Sequence, residues 1–135
     1  MSGLFGPFEI SASGMAAERL RMQVIAENLA NANTTKGADG QPYRRKSVVL
    51  HEAPSFGSTL AGVEAAGIVE DARPGRRVKD PTNPDADADG FVTLPNVDSV
   101  TEMVDLITSQ RGFEANVQAM NDAKQMFQKA LDLLR

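Results

Sequence analysis

The sequence has no cysteine and no tryptophan, and a single histidine, His51. Without cysteine there is no disulfide, no thiolate zinc site and no cysteine nucleophile. One histidine cannot build a multi-histidine metal centre, and His51 reads as a residue on the exposed face of a short strand. No glycine-rich phosphate loop and no Ser-His-Asp set is present. The chain therefore reads as non-enzymatic, with no cofactor and no small-molecule substrate. Aromatic residues make up only 5%, so a thick globular core is not expected, yet apolar residues reach 41%, too many for a disordered chain. The net charge of -4 argues against nucleic acid as a partner, because phosphate binding needs a basic surface. No apolar run approaches the roughly 20 residues that span a bilayer. The start, MSGLFGPFEI, lacks the basic residues and the apolar run of roughly 7–15 residues found in a cleaved leader. If the protein is exported, it is expected to keep its N-terminus.

What is present divides into three zones and predicts an α+β fold: an N-terminal helical segment (1–33), a β-rich middle with long loops (34–95) and a C-terminal helix (96–135). The first helix is predicted from about Pro7 to Ala32. Phe8, Met15, Met22 and Leu29 recur at heptad spacing, with Ala12, Ile25, Ala26 and Ala32 beside them. Such a stripe fits a coiled-coil-like seam and equally a packing face on the chain's own core. Gly14 weakens a helix and so points to a close approach of another element. In the middle zone the β-prone runs are Ser47 to His51, Val63 to Glu70, Arg76 to Lys79 and Phe91 to Leu94. Two basic knots, Arg44 to Lys46 and Arg73 to Lys79, read as solvated faces.

The second helix is predicted from about Val97 to Leu134. Leu106, Phe113, Met120, Phe127 and Leu134 form its heptad stripe, flanked by Val117 and Leu131. Ser99-Val-Thr-Glu102 matches a capping box, in which the serine caps and the glutamate reaches back. A second apolar group, Val97, Val100, Val104 and Ile107, points well away from the first. One partner helix cannot cover both. Either the chain's own β segment or a neighbouring subunit covers the valines; the pattern fits both. The two helices carry mostly small residues on one side, so the termini are expected to become ordered on assembly.

The stretch NPDADADGFVTLPN, Asn83 to Asn96, resembles the start of an EF-hand: Asp85, Asp87 and Asp89 alternate and Gly90 follows. The bidentate glutamate of that motif would fall on Asn96, and Pro81 and Pro84 forbid a regular entry helix. The better reading is an Asp-Gly turn into a strand, with Asn96 and Asp98 at the start of the last helix. A calcium-binding module through the loop 85–96 is one alternative to the leading structural role.

Four stretches taken together resemble the bacterial flagellar axial proteins of the rod and hook. ISASGMAAERLRMQVIAENLANANTT resembles their N-terminal signature, and EMVDLITSQRGFEANVQAMNDAKQMFQKALDLL their C-terminal helix. PYRRKSVVL, DPTNPDADADGFVTLPNV and the short middle narrow the likeness to a proximal-rod member. Another short axial subunit is the second alternative that this resemblance leaves. The resemblance implies a structural subunit exported unfolded through the flagellar type III apparatus, assembling into a hollow periplasmic rod that transmits torque. It implies copies of itself, other rod subunits, the membrane ring and the export apparatus as partners. Carried onto this sequence, its helix-end motif falls on Asn28, Leu29, Ala30, Asn31, Thr34 and Thr35. Its C-terminal motif falls on Arg111, Phe113, Glu114, Ala115 and Asn116. Phe113 stands where the family often has tyrosine. Hydrogen bonding within the helix pair or between subunits is the role implied for Asn28 and Asn116.

Overall fold

The computed structural model describes residues 6–53 and 61–133. Two long helices enclose a small β segment in sequence, an α+β layout. Helix α1 spans Gly6–Ala30 and helix α2 spans Ser99–Leu133. At about 1.5 Å per residue α2 is roughly 52 Å long. Between them lie two antiparallel two-stranded sheets, β1 (Lys46–Glu52) with β2 (Val63–Glu70), and β3 (Arg77–Lys79) with β4 (Phe91–Thr93). Leu134, the last residue of the predicted heptad stripe, lies outside the described residues.

The ends of both helices follow from short polar side chains. At the end of α1, the Asn31 side-chain amide donates to the Glu27 carbonyl at 2.9 Å, and the Thr34 hydroxyl donates to Asn31 Oδ1 at 3.2 Å. The Glu27 carbonyl already accepts from the Asn31 backbone amide at 3.1 Å, so the side chain adds a second bond to it and fastens the last turn. At the start of α2 the cap is Asp98. Its carboxylate accepts from the Val100 amide at 3.1 Å and the Thr101 hydroxyl at 2.9 Å. The capping box expected on Ser99 is thus replaced. Aspartate caps as well as serine does, and the Glu102 side chain is engaged elsewhere.

The helices run antiparallel in constant register. Gly14 lies against Asn116, Glu18 against Gly112, and Asn28 against Glu102. Each step along one helix is matched by an equal step back along the other, so the pair stays aligned from end to end of that stretch. The seam is built of small and polar residues: Ser11, Ala17, Asn28, Glu102 and Ser109 are buried, together with Val24 and Ile25. A Cβ on Gly14 would fall 2.8 Å from Asn116 Nδ2, closer than atoms pack, so glycine here lets the helices approach.

The heptad stripes therefore sit beside the seam and not at its centre. Phe8, Met15, Met22 and Leu29 on α1 are half-buried, as are Leu106, Phe113, Met120 and Phe127 on α2. Bulky side chains cannot occupy the line along which the backbones come closest, and the small residues take it.

The β1–β2 hairpin packs on α1. Val48 and Leu50 are half-buried while Ser47, Val49 and His51 face outward, the alternation of a half-buried strand. Ser13 anchors it: its hydroxyl accepts from the Val63 amide at 3.1 Å and donates to the Ile10 carbonyl at 2.8 Å. Among the described residues the β3–β4 hairpin contacts neither helix. The connection re-enters β4 through Gly90, whose φ of 76° suits glycine.

Candidate functional site

Two surfaces could carry function: a buried polar clasp at one end of the helix pair, and the outer face of α2.

The clasp centres on Asn28 and Glu102, both with 0% exposure. The Asn28 side chain is fully satisfied. Its Nδ2 donates to Glu102 Oε2 at 2.9 Å and to the Lys46 carbonyl at 2.8 Å. Its Oδ1 accepts from the Tyr43 hydroxyl and the Lys46 amide, both at 2.9 Å. The other oxygen of Glu102 accepts from Arg45 Nε at 2.5 Å, and Arg45 Nη2 donates to Asp105 at 3.2 Å. The Arg45 amide donates to Asn96 Oδ1 at 2.7 Å, and Asn96 Nδ2 in turn donates to the carbonyls of Asp71 and Arg73. The end of α1, the start of β1, the approach to α2 and its first turn are thus tied at one point. Burial, then the nearby Glu27 carboxylate, raises the Tyr43 phenol above its ordinary value. The hydrogen bond to Glu27, at 2.6 Å, raises the Lys46 ammonium.

Polar groups shielded this fully are stabilising only when every partner is present. The clasp fixes geometry, and its central pair, Asn28 and Glu102, is closed to solvent. The sequence reading pointed to Asn28 but missed Tyr43, Arg45, Asn96 and the role of Glu102. The spacing of Glu102 from Ser99 suggested a cap, and nothing local marks its long-range partners.

The other predicted residues separate into three groups. Ile25 and Asn28 are buried in the seam, and Asn116 lies across it from Gly14. Met15, Met22, Leu29, Leu106, Phe113, Met120 and Phe127 are half-buried on its shoulders. Val104, Ile107, Val117 and Leu131 are exposed, and Asn31 serves the end of its own helix.

The valines of α2 are left open. No strand contacts α2 among the described residues, so the chain's own β segment does not cover them. Val100, Met103, Val104 and Ile107 are 69%, 52%, 57% and 52% exposed. Their spacing of three and four residues places them on one face, turned away from the Glu102–Ser109–Asn116 line of the seam.

The aspartate stretch is occupied by internal bonds. Asp87 accepts from the amides of Phe91 and Asp89 at 2.8 and 3.0 Å, and from Arg77 Nη2 at 2.6 Å. These bonds, that from Phe91 foremost, hold its carboxyl below the usual range. Arg77 also lies over the Phe91 ring, 4.8 Å from its centre. Asp85 accepts from the Thr35 hydroxyl at 2.7 Å. Among the described residues no cluster of acidic and histidine side chains has metal-holding geometry. The basic knots are largely internal as well: Arg45, Lys46, Arg73 and Arg77 are each ion-paired within the chain. Hydrogen bonds from Arg73 hold Asp71 down to about 2. Among the described residues no helix is long and apolar enough to cross a membrane.

Comparison with known proteins gives this geometry a context. Residues 8–38 match the family described as flagella basal body rod protein. Residues 88–133 match the C-terminal family of the flagellar basal body rod FlgEFG proteins. The flagellar basal-body rod protein FlgC of Salmonella typhimurium is 43% identical over 130 residues, covering 96% of this chain and 97% of the relative. FlgC of Bacillus subtilis is 46% identical with the same coverage of both chains. The chain belongs to the FlgC family of flagellar basal-body rod proteins. FlgC of Borreliella burgdorferi, 37% identical over 98% of this chain and 99% of the relative, extends the likeness to a third organism. The two matched segments hold the two long helices, and the clasp joins the first to the start of the second.

Proposed function

We propose that this chain is a structural, non-catalytic subunit of the flagellar basal-body rod, built into a hollow axial tube that passes torque along its length. The observation that carries this reading is the open apolar stripe of Val100, Met103, Val104 and Ile107. Each such side chain taken out of water contributes about 1.5–3 kcal/mol. A face of this regularity on a helix with no strand against it is suited to packing against another subunit. The half-buried shoulders at Met15, Met22 and Leu29, and at Phe113, Met120 and Phe127, supply further apolar surface for neighbours. The names of the relatives support the rod as the site of assembly.

In this role the partners are copies of the chain, other rod subunits, the membrane ring at the base and the export apparatus that delivers it. In the same role the chain is exported from the cytoplasm and works in the periplasm. The clasp then serves assembly indirectly. It locks the two helices in one register, so every copy presents the same outer face. Deleting the gene and imaging isolated basal bodies tests the reading. Basal bodies without a complete rod, in cells that do not swim, are expected; complete rods and normal swimming would overturn it.

A further inference from the structure

The sequence holds six methionines, Met1, Met15, Met22, Met103, Met120 and Met126. Met1 lies outside the described residues. Met15, Met22 and Met120 are half-buried on the shoulders of the seam. Met103 is different. It is 52% exposed and belongs to the apolar face of Val100, Val104 and Ile107, with no strand against it among the described residues. Val100 stands three residues before it and Ile107 four after, so the thioether shares one side of α2 with both. Met126 is exposed as well, but it stands well beyond that face along the helix. The Met103 thioether is the one group of the face open to mild chemical change. Oxidants leave the aliphatic side chains of valine and isoleucine intact, and they convert methionine to its sulfoxide, an apolar group made polar.

We propose that Met103 is an oxidation site: a peroxide-class oxidant acting on the free, folded subunit converts it to the sulfoxide and makes the outer face of α2 unfit for a neighbour. This rests on the rod reading above. With hydrogen peroxide the sulfur lone pair attacks one peroxide oxygen. The O–O bond breaks, an S–O bond forms, and the second oxygen leaves as water with both protons. Sulfur loses two electrons and the peroxide gains them. Exposure sets the rate, because the oxidant must reach sulfur and water must solvate the charge that separates. The packing around Met15, Met22 and Met120 restricts both. The consequence also differs by site. A sulfoxide at the half-buried positions sets a polar group against the helix pair and weakens the fold. At Met103 it meets solvent, so one copy keeps its fold and only the face changes. The chain has no cysteine to serve as reductant. A thiol-dependent methionine sulfoxide reductase restores the thioether: the oxygen leaves as water and two thiols join in a disulfide.

Purified full-length chain is treated with hydrogen peroxide, and its peptides are weighed over time. Met103 should gain one oxygen several-fold faster than Met15, Met22 and Met120; equal rates would overturn the proposal. The consequence is read in cells whose rods begin to assemble just after a peroxide pulse. Isolated rods should contain the thioether at Met103 while the free pool carries the sulfoxide. The same sulfoxide fraction in both would overturn it. Met103→Gln, polar and of similar length, stands in for the sulfoxide. An unchanged unfolding midpoint and cells without rods are expected, whereas Met103→Leu should keep both midpoint and rods. Normal rods with Met103→Gln would overturn the proposal. So would a midpoint lowered as far as by Met120→Gln, because the effect would then lie in the fold. Val104→Asp tells the two failures apart. Rods lost with Val104→Asp but kept with Met103→Gln remove the oxidation site alone; rods kept with both remove the outer-face reading as well.

Discussion

The Asn28 amide donates to the Glu102 carboxylate at 2.9 Å, and neither side chain has any exposure. Because Glu102 also holds Arg45, its removal leaves Arg45 Nε and one N–H of the Asn28 amide without an acceptor. Glu102→Ala is expected to lower stability by about 3 kcal/mol, the range for breaking a buried charged pair from one side. Glu102→Gln keeps an acceptor and should lose less. Asn28→Ala strips partners from Tyr43, Lys46 and Glu102 together, and the double variant should fall short of the sum of the two singles. Urea unfolding followed by circular dichroism measures each value. Full additivity would mean that the two residues do not act as one unit.

Gly14 and Asn116 test the close approach of the helices. Alanine is favoured over glycine in a helix by about 1 kcal/mol, but here its Cβ would fall 2.8 Å from Asn116 Nδ2. Gly14→Ala should therefore bring no gain, or a loss, in the natural chain. With Asn116→Ala already in place, the same change should stabilise by about 1 kcal/mol. Equal effects in the two backgrounds would show that the contact is not tight.

The cap of α2 depends on pH. Asp98 is held below its ordinary 3.8, first by the Thr101 hydroxyl and then by the Val100 amide. A depressed folded value means that the stabilisation is complete above 3.8 and fades as pH falls through the lower, folded value. Asp98→Asn caps without titrating. Its stability should change less than that of the natural chain as pH falls from 5 to 2 (both approximate bounds) in the window set by this linkage. Parallel curves would remove Asp98 as a titrating cap.

The tip of the β3–β4 hairpin should behave as a separate unit, since it contacts neither helix among the described residues. Asp87→Ala removes the acceptor for the Phe91 and Asp89 amides and for Arg77. Hydrogen exchange should speed up at Phe91 while the seam amides of α1 and α2 stay protected. Faster exchange throughout the chain would show that the hairpin is coupled to the helices.

Much of this architecture was legible in the sequence because it is local. The β2 run from Val63 to Glu70 falls on the strand observed, and the other three runs differ by a residue at one or both ends. Proline near the start and asparagine near the end marked α1. The centre of the seam was harder to read. Bulky residues at heptad spacing drew attention, while Gly14, Ala17, Ser109 and Gly112 occupy the line of closest approach. Small residues recurring at helical spacing on both helices were the signal for it. The clasp was not legible, because Asn28 and Glu102 are 74 positions apart and the sequence around each suits a helix terminus equally well. Whether strands or a neighbour would cover the valines was left open by periodicity. It depends on where the hairpin lies, and the hairpin lies on α1.

The central claim is that the outer face of α2 is made for a neighbour and contributes little to the fold of one copy. Val104→Asp separates the two, because Val104 is 57% exposed and surface changes usually alter stability by less than about 0.5 kcal/mol. The decisive measurement sets the unfolding midpoint of the purified variant beside rod formation in cells that carry it as their only copy. The expected result is an unchanged midpoint and cells without rods. Normal rods and swimming with aspartate at this position would contradict the account.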